Sequence, residues 1–208
     1  IRGCPFSGQP LCLFPGRDWK PAPVQLRLDF FDSKDFEAWL LWRVRFKNNI
    51  ALIVGMPEWA PAQQKIYNAQ VCCMPGGQTC FYRKPHLTPQ EMYIFHAGSD
   101  LGIFNYCSIT FGLQLSNDTH FPEFSLAQAL AGAQVILVGS ASSRISATEL
   151  HEHWLRYLPA RAYDTGCYVL ICNQACKSSS SESFPGLALA FDPDGDLIAE
   201  NQEEDCPL

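Results

Sequence analysis

Three side chains stand where their types suit acyl-transfer chemistry: Lys84 in CFYRKPHLTPQE, Glu91 at the end of the same stretch, and Ser116, where the apolar run ITFGLQL gives way to SNDTHFPEF. A lysine ammonium at a strand end stabilises a developing oxyanion, and a nearby carboxylate holds its charge and position. A hydroxyl on the turn after a buried strand is presented to the cleft that opens there, as a nucleophile elbow presents its serine. Each residue also has a plainer reading. Spacing alone favours a surface lysine with a helix-start glutamate after Thr88-Pro89. Asn117 and Asp118 likewise make Ser116 read as part of an ordinary hydrogen-bonded turn.

Other groupings carry less. His151, His153 and Cys167 are a poor metal set, because positions i and i+2 on a helix do not face each other. DPDGD at 192–196 echoes a calcium loop but has no glutamate at the twelfth position, so a plain turn is expected and no metal is predicted. The chain has 10 cysteines, but they sit mainly inside apolar runs such as VCC, YVLIC and LCLF, which reads as reduced core thiols rather than a disulfide framework. Cys172 and Cys176 are read the same way, as core rather than redox residues.

The elements that must position these residues follow from the apolar pattern. Leu11–Phe14, Ile50–Val54, Ala69–Met74, Ile109–Leu115, Val135–Val138 and Tyr168–Asn173 have the length and composition of buried strands. Residues 33–49, 121–133 and 146–166 carry helical spacing, the first with a Ser33 cap. Pro75-Gly76-Gly77, Pro89-Gln90, Gly139-Ser140 and 192–196 read as turns, and Ser178–Ser183 as a mobile surface loop. Strands alternating with helices predict an α/β layered fold, and the absence of a repeat or linker predicts one domain over residues 1–208.

Composition narrows the partners. With 47% hydrophobic and 17% charged residues and no apolar window of about 18, a membrane span is not expected. A net charge of -6 with no Lys/Arg stripe argues against nucleic acid. The opening IRGCPFSGQP lacks the basic-then-apolar pattern of a signal peptide, so the cytoplasm is the expected location.

Taken in order, NIALIVGMPE, IYNAQVCCMPGGQTCFYRKPHL, LTPQE, FHAGSD, DTHFPE, LAQALAGAQVILVGSAS, HEHWLRYLPARAYDTGCYVLICNQ and FPGLALAFDPDGDLIAE resemble segments of the carbon-nitrogen hydrolase (nitrilase) superfamily, in its amidase-like branch. The resemblance implies a four-layer α-β-β-α sandwich with a Glu-Lys-Cys triad, no cofactor, and a small-molecule amide or nitrile as substrate. It also implies a homo-oligomer or hetero-assembly. Lys84 matches the catalytic lysine, Glu91 the second, supporting glutamate, and Arg161 a structural salt-bridge donor.

Two positions depart from the family pattern. The nucleophilic cysteine falls on Ser116, with its aromatic neighbour on Asn117, and the general-base glutamate falls on Gly16 in LCLFPGRDW. Glu58 in GMPEW and Glu123 after the elbow are the acids available to substitute, and Asn117 and Glu58 are the expected binding residues. The family's additional first strand and helix, and its C-terminal continuation, are also expected to be missing. The resulting expectation is a hydrolase of non-peptide C–N bonds with an impaired site, or an inactive pseudo-amidase serving as a binding or structural subunit.

Overall fold

Alternation on three neighbouring strands fixes the layering. In β6 (Ile109–Leu115), Phe111, Leu113 and Leu115 point to one side; in β7 (Val135–Ser140), Leu137 joins them while Ile136 and Val138 point to the other. In β8 (Tyr168–Asn173), Val169 and Ile171 share that second side. Strands apolar on both faces must be covered twice, which is the signature of a parallel sheet inside a layered fold. β6, β7 and β8 do pair in parallel.

In the computed structural model, residues 11–15, 50–74, 78–143, 146–177 and 183–203 are described. β1 (Leu11–Pro15), β2 (Ile50–Ala60), β3 (Lys65–Cys73) and β4 (Thr79–Arg83) form an antiparallel four-stranded sheet in that order. A second sheet of six strands adds β5 (Ile103–Tyr106) beside β6. At its other edge lie β11 (Gly186–Phe191) and β12 (Leu197–Glu203), giving the order β12-β11-β8-β7-β6-β5. β9 (Cys176–Lys177) and β10 (Ser183–Phe184) make a separate two-stranded pair.

Ile53, Cys72 and Tyr82 of the first sheet pack against Phe104, Phe111, Leu113, Leu115 and Leu137 of the second. The outer face of the second sheet is covered by α2 (Ala147–Leu155) and α3 (Leu158–Thr165), which bury Leu150, Trp154, Leu158 and Ala162. α1 (Pro122–Leu130) attaches differently, through a buried polar cluster. Gln114 Nε2 donates to Ser125 Oγ and Gln128 Oε1 at 2.9 Å each, while Gln128 Nε2 donates to the carbonyls of Leu101 and Leu113.

The strands expected at 11–14, 109–115 and 168–173 are present, those expected at 50–54 and 135–138 belong to longer strands, and that expected at 69–74 is the end of β3, which stops at Cys73, one residue earlier. Gly139-Ser140 is a correction: both residues are the end of β7, paired to Leu115 on one side and to Cys172 and Asn173 on the other. Small residues there satisfy ladder bonds rather than making a turn, and Ser140 still accepts from the Gln174 N–H. The pattern over 146–166 splits into two helices at Arg156-Tyr157, because the Pro159 ring would collide with the carbonyl of Leu155 in a continuous helix. The 192–196 turn is present, with Asp192 Oδ1 accepting from the Asp194 and Asp196 N–H groups. The helix expected over 33–49, the turn at 75–77 and residues 178–182 of the surface loop lie outside the described residues, as does Gly16. Among the described residues no helix is long and apolar enough to cross a membrane.

One close approach sets where β4 ends. The segment after Phe95 crosses the sheet edge, with the Gly98 N–H donating to the Lys84 carbonyl at 2.9 Å; a Cβ on Gly98 would overlap the Arg83 carbonyl oxygen. Replacing Gly98 with alanine must therefore push two backbones apart. A loss of about 1–3 kcal/mol is expected, measured as a lower urea midpoint at unchanged slope.

Candidate functional site

The alternation that turns Cys72 and Tyr82 into the space between the sheets turns Asn68 and Lys84 the same way. Lys84 follows β4 directly, its N–H bonded to the Asn68 carbonyl at 2.8 Å and its own carbonyl to Gly98, so its backbone is fixed on both sides. The ammonium is buried at 3% exposure. Its Nζ donates to both oxygens of Glu91, at 2.7 and 2.8 Å. Glu91 also accepts from Asn68 Nδ2 at 2.8 Å and from the Thr88 N–H at 2.7 Å.

Glu91 therefore fills two roles that the sequence leaves as alternatives. The Glu91 N–H returns to Thr88 Oγ1 at 3.3 Å, so Thr88 and Glu91 form a reciprocal capping box at the start of the 3-10 turn Glu91–Tyr93. The same carboxylate neutralises Lys84. Burial pushes the Glu91 pKa up, but the Lys84 charge and the bonds from Lys84, Thr88 and Asn68 outweigh it, leaving Glu91 below the usual carboxylate value.

Ser116 begins a tight turn of residues Ser116–His120 at the end of β6 and has φ +42, in the left-handed region that non-glycine residues rarely occupy. Strain of this kind, on the order of 1–3 kcal/mol, persists only where the surroundings impose it. The turn is held in place through Asp118, which is fully buried. Its Oδ2 accepts from the Leu115 N–H at 2.8 Å and from the Tyr82 hydroxyl at 2.6 Å. Its Oδ1 accepts from the His86 N–H at 3.2 Å and lies 3.0 Å from His86 Nδ1. Burial, and then the Asp118 charge and bond, hold the Tyr82 hydroxyl well above its usual pKa, so it stays a donor.

The structure thus joins Lys84 to Glu91 directly and lashes the Ser116–His120 turn to the segment that carries Lys84. Tyr82 and His86, two residues to either side of the lysine, both bond to Asp118. Asn117 Nδ2 adds a bond to the His86 carbonyl at 2.9 Å, where the sequence predicts a local turn bond. Glu58 is not part of this cluster: both its oxygens are taken by Arg83, at 2.7 and 2.6 Å, under the Tyr67 ring. Glu123 is exposed in the first turn of α1. Arg161, expected as a salt-bridge donor, instead donates Nε–H to the Thr119 carbonyl at 2.9 Å, tying α3 to the elbow. His151 faces Glu200, while His153 faces His120 and Tyr157.

Sequence reasoning does not single out Asn68, Tyr82, His86 and Asp118 as a cluster. Asn68, Tyr82 and His86 lie in one stretch quoted for its family likeness and Asp118 opens another, DTHFPE; taken by itself Asp118 reads as a turn former, which its bond to the Leu115 N–H bears out. The carbon-nitrogen hydrolase family model matches residues 43–205. The chain is 28% identical over 177 residues to the omega-amidase NIT3 of Saccharomyces cerevisiae, covering 77% of this chain and 60% of that protein. It is 31% identical over 157 residues to the deaminated glutathione amidase of Homo sapiens, covering 70% of this chain and 47% of that one. A crystal structure of a nitrilase-superfamily protein from Saccharomyces cerevisiae superposes with a TM-score of 0.65 at 28% identity, covering 73% of this chain and 55% of its own. The chain therefore spans 47–60% of the length of these relatives.

The buried pair makes a stability prediction. Replacing Glu91 with glutamine keeps the shape but strands the Lys84 ammonium, which should cost about 3–5 kcal/mol in chemical denaturation at neutral pH. The folded pKa of Glu91 lies below its unfolded value, so its contribution is complete above the unfolded value, about 4.3. It is lost as the pH falls through the folded value. The gap between Glu91→Gln and the unsubstituted protein should therefore close as the pH drops below about 4.

Proposed function

The chain belongs to the carbon-nitrogen hydrolase family, and from that premise we propose that Lys84, Glu91 and Ser116 form an amide-binding site whose hydrolysis of non-peptide amide or nitrile C–N bonds is impaired. The observation that carries this reading is the pairing of a buried, carboxylate-held lysine with a strained serine elbow, two elements bound to each other through Asp118. Two of the three Lys84 N–H donors are committed to Glu91, which leaves one for a ligand oxygen.

On this reading Ser116 Oγ attacks the amide or nitrile carbon, and the oxygen or nitrogen that gains charge takes hydrogen bonds from Lys84 and from the backbone N–H beyond the nucleophile. From an amide, the C–N bond breaks as the leaving nitrogen takes up the hydroxyl proton and departs as ammonia or an amine, and water then releases the acyl group; from a nitrile, the imidate first adds a water before ammonia leaves, and a second water releases the acid. The weak step is the first. A serine hydroxyl needs an adjacent base to take its proton, whereas a cysteine is already partly thiolate near neutral pH. Glycine stands at the base position, Glu58 is held by Arg83, and Glu123 is exposed.

The same inventory supports a second reading as a binding or structural subunit: with Lys84 and Glu91 satisfying each other, the pair is stable without turnover. A thiol restored at position 116 separates the two. Under the first reading, Ser116→Cys raises ammonia release from a panel of ω-amides, carbamoyl amines and nitriles. Adding Lys84→Met then lowers it by about 10²–10³, the usual loss for one oxyanion donor. A folded Ser116→Cys protein that releases ammonia from no member of the panel sinks the hydrolase reading in favour of the subunit.

A further inference from the structure

Cys72 on β3 and Cys80 on β4 are register partners in an antiparallel pair. Around them the Met74 N–H bonds to the Gln78 carbonyl and the Lys84 N–H to the Asn68 carbonyl. Cys72 and Cys80 are an even number of residues from both bonded pairs, so they too are a hydrogen-bonded pair, with Cα atoms about 5.5 Å apart. That separation lies within the span of about 4.4–6.8 Å over which a disulfide closes. Both thiols face the space between the sheets, Cys72 within the core cluster and Cys80 packed against it. Cys73, next in the chain, points to the opposite face.

The two thiols differ in a way that suits sequential reaction. Cys72 is fully buried and Cys80 half-buried, so a reagent reaches the pair through Cys80. The Cys72 thiol, bonded to Cys80 and then disfavoured by burial, is pushed far above the ordinary range. Cys80 is lowered by that same bond against the opposing effect of burial. The thiolate is the nucleophile in such chemistry, and a second thiol beside it resolves the product.

We propose that Cys72 and Cys80 are a redox-active dithiol in which Cys80 reacts with a hydroperoxide and Cys72 closes a cross-strand disulfide. The Cys80 sulfur attacks the peroxide oxygen, the O–O bond breaks, and sulfur gives up two electrons to form a sulfenic acid while an alcohol or water leaves. The Cys72 sulfur then attacks the Cys80 sulfur, the S–O bond breaks, and hydroxide departs with the thiol proton as water. Two thiols and one hydrogen peroxide become one disulfide and two waters.

The test uses the intact chain and hydrogen peroxide, with differential labelling. Thiols left after oxidation are blocked with one alkylating reagent under denaturing conditions, then the protein is reduced and labelled with a second. In the tryptic peptide 66–83, Cys73 should carry the first label and Cys72 and Cys80 the second. The unreduced peptide should be lighter by two hydrogen atoms, and dithiothreitol should reverse the change. Cys73→Ser should still form the bridge, and Cys80→Ser should not. All three cysteines carrying the first label, a sulfinate on Cys80 without a bridge, or a bridge through Cys73 or Cys107 would each overturn the proposal. The labelling of the unsubstituted chain decides the matter even where a core variant fails to fold.

Discussion

A carboxylate sealed between two sheets survives only if its lone pairs are occupied, and Asp118 meets that condition with groups from three separate places. The Leu115 N–H comes from the end of β6, the Tyr82 hydroxyl from β4, and the His86 backbone and ring from the segment beyond. Hydrogen bonds to an ionised acceptor are the stronger kind, and losing one leaves a buried charge short of a partner. Neither sheet can slide against the other without that loss. The turn that starts at Ser116 with φ +42 is closed by the same carboxylate, whose Oδ2 reaches back to the Leu115 N–H.

A second buried carboxylate has a related role at the other side of the same segment. Glu91 holds the Lys84 ammonium while closing the turn that begins at Thr88, so the helix start and the ion pair are one structure. Buried ion pairs contribute little net stability, since desolvation offsets the attraction. What this pair contributes is placement: Asn68, Thr88 and Lys84 all converge on one carboxylate, and the lysine has one geometry open to it.

Legibility in the sequence tracks the range of the interaction. Strands at 109–115 and 168–173 are readable because alternation and apolar runs are local properties. Lys84 and Glu91 can be named from their types and spacing, although spacing alone leaves them between a surface pair and a site pair. The Asn117 bond to His86 and the commitment of Glu58 to Arg83 each join positions 25 or more residues apart, and nothing local announces them. Gly139-Ser140 misleads for the opposite reason: a strong local turn signal is overruled by ladders on both sides. Pro159 does announce the helix break, which the amphipathic pattern over 146–166 masks.

The bonds that frame position 116 run through its backbone and its neighbours. Thr119 Oγ1 donates to the Ser116 carbonyl at 2.7 Å, Arg161 holds the Thr119 carbonyl, and Asp118 holds Leu115 and the β4 segment. None of these bonds needs the hydroxyl, so a thiol or a hydroxyl at this position fits the same turn. The fold thus fixes the backbone of position 116 and leaves the identity of its terminal atom to chemistry, because nucleophilicity resides in the atom at the tip of the side chain.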